Sequence, residues 1–177
     1  MAFSSDHFGL PLLLEGDDPA LVRKLAERVH RQSSYASGPF VVFDCRGMAQ
    51  TQEEIGSALF GTAFGIWPAV PQGVRGGLEL ARGGSLLVEH VELMPKWALK
   101  RLEDAIQRQS LERLGDRDGA PLDVRIMVAV SHDTREQAFE RSELSAFLRY
   151  VGGGFPLRMS PLLKLAQHDA AGEAPLC

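Results

Sequence analysis

Apolar residues in this chain gather into five short runs, at residues 10–15 (LPLLLE), 40–45 (FVVFDC), 85–89 (SLLVE), 124–131 (VRIMVAVS) and 155–159 (FPLRM). Most are continuous rather than alternating, the pattern of strands covered on both faces, as in a parallel sheet. Between them the spacing becomes helical. In residues 19–31, Leu21, Leu25 and Val29 recur at i, i+4 and i+8 beside Val22 and Ala26, which predicts an amphipathic helix. Residues 95–109 repeat this with Leu99, Leu102 and Ile106, and residues 136–148 do so less regularly with Phe139, Leu144 and Phe147. Alternating strand and helix predicts an α/β domain with right-handed crossovers. A turn cluster at 114–121 (LGDRDGAP) places a hairpin between Leu111 and Val124, closed by Asp118-Gly119.

Composition narrows the function classes. The 177 residues are 45% hydrophobic, ordinary for one globular domain, and carry a net charge of -4. That balance lacks the basic footprint of a DNA-binding domain. The start, MAFSSDHFGLPLLLEGDD, has neither a basic leader nor an apolar stretch of spanning length, so a cytoplasmic protein with no membrane contact is expected. Cys45 and Cys177 make neither a disulfide framework nor a metal site. Cys45 ends an apolar run and reads as a buried free thiol. The five histidines are scattered, without metal-ligand spacing.

The chemistry of interest lies where the first strand meets the first helix. In an α/β sheet, phosphate binds at such a point because the helix's first N–H groups attract anions. A working phosphate loop reads G-x-x-x-x-G-K-[ST]: glycines for close approach, lysine for the β- and γ-phosphates, a hydroxyl for Mg²⁺. The eight positions here are Gly16, Asp17, Asp18, Pro19, Ala20, Leu21, Val22 and Arg23. Only the first glycine is present; Val22 cannot donate to phosphate and Arg23 has no hydroxyl. Asp18 before Pro19 is instead a strong helix start, an N-cap followed by proline at the first helical position. Its carboxylate would occupy the positive helix end and repel a triphosphate. The third strand ends in Glu89-His90, where such enzymes present a metal-binding Asp and a water-activating Glu. Glu89 retains a group that reaches a cation; His90 reads as a hydrogen-bonded structural residue or as a base.

These segments together resemble the central AAA+ domain of sigma-54-dependent transcription activators. LAERVHRQS (25–33) followed by GPFVVFDC (38–45) is similar to the family's "ARAIH…GPFVAVNC", and Leu59-Phe60-Gly61 to its LFG. GLELARGGSLL (77–87) resembles "GRFELADGGTLFLDE", SLERLG (110–115) "EFERVGG", DVRIM (123–127) "DVRVIAATN", and PLRMSPL (156–162) "PLRLPPL". The resemblance implies a three-layer P-loop NTPase-like core with a mostly parallel five-stranded sheet over 10–162, after an extension at 1–9 and before a tail at 163–177.

The resemblance also marks what has changed. The phosphate-loop lysine position is Val22, the two acids are Glu89 and His90, the sensor asparagine is Ser131, and of the arginine-finger segment only Arg149 survives, out of register. The sequence stops where the family continues into a helical lid. A degenerate nucleotide pocket follows, made of Gly16, Asp17, Asp18, Val22, Arg23, Glu89, His90 and Ser131, with no catalytic residue and no resident metal or cofactor. ATP–Mg enters only if that pocket still binds. The loop holding GAFTGA in the family keeps its length but reads Gly65-Ile66-Trp67-Pro68-Ala69-Val70. Ile66, Trp67, Pro68 and Val70 are either packed on their own domain or a patch for a protein partner. The resulting expectation is a pseudo-ATPase interaction module of sigma-54-dependent regulation, bound to AAA+ activators or the transcription machinery and able to oligomerise. The alternative is an ATP-binding domain that remodels a transcription partner.

Overall fold

Residues alternate across the sheet even where the sequence reads as continuously apolar. Along β1 (Leu12–Glu15), Leu13 points to one face and Leu14 to the other; along β3 (Ser85–Glu89), Leu86 and Val88 oppose Leu87. In β6 (Arg125–Val130), Ile126, Val128 and Val130 oppose Met127 and Ala129. Period-two side chains that are apolar in both directions require cover on both faces, and helices supply it. The computed structural model describes residues 11–47, 51–66, 71–116, 118–131, 142–153 and 157–158. With β2 (Phe40–Asp44) and β7 (Leu157–Arg158), the strands form one five-stranded parallel sheet in the order β2-β3-β6-β1-β7.

One face is closed by α1 (Pro19–Arg31), through Val22 and Ala26 against Leu14, Leu87 and Met127. The other and larger core lies under α2 (Gln52–Phe60), α3 (Gly77–Leu80), α4 (Lys96–Arg108) and α5 (Ser142–Val151). There Phe60, Leu78, Met94, Leu102 and Phe147 are each at most 1% exposed. The three-layer α/β architecture expected from the sequence is present. Cys45 is the buried free thiol expected, pushed up to about 12 chiefly by burial; Cys177 lies outside the described residues.

Local details differ from the sequence expectations. The hairpin pairs β4 (Ser110–Leu111) with β5 (Ala120–Pro121), so Asp118-Gly119 lies beside β5 within a longer connection rather than making a two-residue turn. The helix expected over 136–148 is seen from Ser142 and runs on to Val151; residues 132–141 fall outside the described ones. The sequence reading also passed over α2, although Thr51 and Glu54 form a full capping box at its start.

Helix α1 begins and ends on identifiable contacts. Asp18 Oδ1 accepts from the N–H groups of Ala20 (2.9 Å) and Leu21 (3.3 Å), and Pro19 opens the first turn. At the far end His30 is 7% exposed, its Nδ1 lies 2.9 Å from Ser85 Oγ, and its ring bonds the Gly38 backbone. Burial, followed by the nearby Arg31, holds the His30 imidazole below its ordinary value.

Asp18→Ala is expected to lower stability by about 1 kcal/mol, the usual loss of an N-cap. An unchanged urea midpoint would mean that the cap contributes nothing. A histidine buried neutral favours the fold above its unfolded pKa and stops doing so as pH falls through its folded one. Stability should therefore decline on acidification below about pH 6.5, the ordinary imidazole value. His30→Asn should flatten that decline in a thermal-melt series against pH. Equal slopes for parent and variant would refute the role given to His30.

Candidate functional site at the carboxyl ends of the strands

A cleft of about 210 Å³ opens where β1, β3 and β6 end, lined by Gly16, Asp17, Val22, Glu89, His90 and Ser131 among others. This is where ligands bind in open α/β sheets. Its volume is below the ~300–1,000 Å³ usual for small-molecule sites. Of the eight residues that the sequence groups as a nucleotide pocket, these six line the cleft, and Asp18 and Arg23 are not among its lining.

The phosphate-loop positions are wound into helix. Of the eight residues 16–23, the last five belong to α1. The Gly16 N–H is bonded to the Val130 carbonyl (3.0 Å), those of Ala20 and Leu21 to the Asp18 side chain, and that of Val22 to the Asp18 carbonyl (3.0 Å). Amides that would cradle a phosphate in a glycine-rich loop are thus already bonded within the chain. Val22, at the lysine position, is 2% exposed and packs into the α1 side of the core.

Arg23 turns the other way. Its Nε donates to Glu89 Oε1 (3.0 Å) and its Nη2 to Glu89 Oε2 (2.5 Å), a bidentate ion pair between α1 and the end of β3. Glu89 is 3% exposed. The hydrogen bond to Glu89 raises the Arg23 guanidinium above its ordinary value. Asp44, in register with Glu89 on β2, is held at about 2 by its bonds to Arg46, whose Nη2 lies 2.8 Å from Asp44 Oδ2. His90 takes a left-handed backbone (φ 54°), which non-glycine residues adopt infrequently. Its Nδ1 is 3.3 Å from Glu92 Oε1. This donor set does not fit a magnesium-bound triphosphate. The lysine and hydroxyl are replaced by Val22 and Arg23, and both oxygens of Glu89 are engaged by a guanidinium. Arg149 is exposed on α5.

A second feature lies away from the cleft. The loop from Thr62 to Val74 is pinched at its base by an antiparallel bridge between those two residues, and Thr62 also bridges to Leu114 beside the β4–β5 hairpin. Gly61 makes the pinch possible: its φ is 82°, and a Cβ there would lie 2.6 Å from the Val74 carbonyl. Ile66 rests over Gly115, where a Cβ would come 2.1 Å from Ile66 Cδ1. Ile66 is 42% exposed and Phe64 81%. Phe64 immediately precedes the six positions singled out in the sequence, and its exposure has no local sequence signal. Trp67, Pro68 and Val70 lie outside the described residues.

Residues 4–150 match the sigma-54 interaction domain family. The chain is 32% identical to the Nif-specific regulatory protein of Bradyrhizobium diazoefficiens, over 85% of its own length and 25% of that protein. It is also 32% identical to the C4-dicarboxylate transport transcriptional regulatory protein DctD of Pseudomonas aeruginosa, over 85% of its length and 32% of DctD. It therefore spans between a quarter and a third of these relatives. The crystal structure of NtrX from Brucella abortus in complex with ATP superposes with a TM-score of 0.69 at 25% identity, covering 85% of this chain and 33% of NtrX. The P-loop NTPase domain of a sigma-54 transport activator from E. coli shares the fold, at TM-score 0.52 and 19% identity, with 87% of this chain and 85% of that one covered. Sequence and fold together show that the chain belongs to the sigma-54 interaction domain family and has its P-loop NTPase α/β architecture.

Proposed function

We propose that this chain is a sigma-54 interaction domain that does not turn over ATP and acts by protein contact within sigma-54-dependent transcription regulation. The observation that carries this reading is the first turn of α1. A carboxylate, that of Asp18, takes the amides a phosphate would need, and Val22 in the lysine position is committed to the core. An anion brought to this helix end meets the charge of Asp18 with no lysine to offset it. His90 in place of the second acid further favours the reading, since a triphosphate site uses a carboxylate there to orient water.

What the domain retains is a contact surface. The loop 62–74 is anchored at both ends and against the hairpin, while Phe64 extends into solvent. An exposed aromatic on an anchored loop is the kind of side chain that becomes a binding hot spot, because it buries much area at little ordering cost. A component of the sigma-54 transcription machinery is the proposed occupant, in keeping with the family's description.

Two measurements test these points. The purified chain should hydrolyse no ATP above background and bind ATP–Mg²⁺ no tighter than roughly millimolar; a micromolar dissociation constant by calorimetry would sink the non-hydrolytic reading. Phe64→Ala should leave the melting temperature unchanged, yet weaken binding to purified sigma-54 or a sigma-54 activator by roughly 2 kcal/mol, or about 30-fold. If neither protein binds the parent, or if the variant binds as well as the parent, the loop is not the contact surface.

A further inference from the structure

Glu89 presents a problem that the fold has to solve. Its carboxylate is 3% exposed at the end of a strand hydrogen-bonded on both sides. A buried carboxylate without a counter-charge is strongly unfavourable. In a P-loop enzyme the acid at this position faces a divalent metal held jointly with the hydroxyl that ends the phosphate loop. Here that last position is Arg23, and it is Arg23 that reaches Glu89, across 66 residues of sequence. The same two sequence positions are therefore joined in this chain, with a guanidinium as the bridge.

We propose that the Arg23 guanidinium is the built-in cation of this cleft: it takes the Glu89 oxygens that a divalent metal would need, so the chain accepts no such metal until Arg23 is removed. This deepens the non-hydrolytic reading of the same site, on which it rests for its context, but it depends on different atoms from those capped by Asp18. Geometry favours arginine for the role. A planar fork meets both carboxylate oxygens at once, and a guanidinium is more weakly hydrated than an ammonium, which suits a half-buried position. The neighbouring acid gives no alternative foothold. Asp44, in register with Glu89, has its own arginine in Arg46. Mg²⁺ keeps several waters and is bound through one or two carboxylates, so Glu89 becomes a foothold only when its oxygens are freed from the guanidinium. Among the described residues no group of three or more His, Cys, Asp or Glu side chains is placed to hold a metal.

The test uses Mn²⁺ and Mg²⁺ themselves, on the whole chain, at matched ionic strength. The parent should show no Mn²⁺ site by electron paramagnetic resonance titration that Glu89→Gln removes, and neither ion should raise its melting temperature. Arg23→Ser strips the cation from Glu89 and supplies a hydroxyl; it should melt lower by roughly 5 °C or more. Millimolar Mn²⁺ should restore part of that loss, and Arg23→Ser/Glu89→Gln should abolish the restoration. A Glu89-dependent Mn²⁺ site in the parent overturns the proposal, as does an Arg23→Ser variant that melts like the parent or regains nothing with either ion. Should Arg23→Ser fail to fold, Arg23→Lys, which keeps the charge but loses the fork, must melt below the parent, and the parent titration decides alone. ATP binding without metal would overturn the non-hydrolytic reading and leave the Arg23 proposal intact. A parental Mn²⁺ site with no ATP binding would do the reverse.

Discussion

The carboxylate of Glu89 sits at the end of a central strand, closed off from water, and must meet a positive charge there. Much of the cleft follows from the way that requirement is met. The charge comes from α1, so α1 has to start early enough for its fifth residue to reach the strand end. Asp18 and Pro19 set that start: the cap and the proline fix the first turn with only Asp17 between Gly16 and the cap, and without a glycine-rich loop between strand and helix. Once the turn is fixed, adjacent residues diverge. Val22 goes down into the core against Leu14, Leu87 and Met127, and Arg23 goes sideways to Glu89. Cap, core contact and ion pair thus all follow from where α1 starts.

What the chain keeps of its family pattern is mostly what packs. Leu59 and Phe60 of the LFG segment, Leu78 of α3, Ala81 at its end and Leu86 of β3 are at most 1% exposed. Gly61 supplies the positive φ at the base of the loop. His30 ties the end of α1 to the start of β3 through Ser85. Of the positions that the resemblance marks as changed, Val22, His90 and Ser131 line the cleft, and Asp18 and Arg23 sit on the opening turns of α1 beside it. The core and the base of the loop are packed without calling on a ligand in the cleft. The loop 62–74 and the β4–β5 hairpin are braced against each other through Thr62, Leu114, Ile66 and Gly115.

The sequence made some of this legible and hid the rest for physical reasons. Helix α1 could be read to the residue because Asp-Pro is a local start signal and its apolar positions keep one helical face. The sheet could be read because continuous apolar runs between helices leave few alternatives to a parallel arrangement. Helix α2 was passed over although Thr51 and Glu54 signalled its start, because Gly56 in its middle weakens the propensity. That glycine has a packing reason visible only in three dimensions: a Cβ there would lie 2.5 Å from Leu114 Cδ1. The Arg23–Glu89 pair was hidden for a similar reason. Arg23 stands at a position that lacks its hydroxyl and Glu89 at one that faces a metal in the motif, and nothing local indicates that they satisfy each other. Phe64 was missed because exposure is a property of the folded loop rather than of its sequence.

The central claim is that this cleft is filled from within, by Asp18 on the helix amides and by Arg23 on Glu89. Two-dimensional amide NMR observes both contacts in one experiment, through the backbone N–H signals of Ala20, Leu21 and Val22 and the Nε–H signal of Arg23. Titrated with ATP–Mg²⁺, these signals should stay in place, with the Arg23 Nε–H sharp and slow to exchange with solvent as an engaged donor requires. If they shift together and saturably, with the Arg23 signal lost to exchange, the cleft opens to nucleotide and the account is wrong.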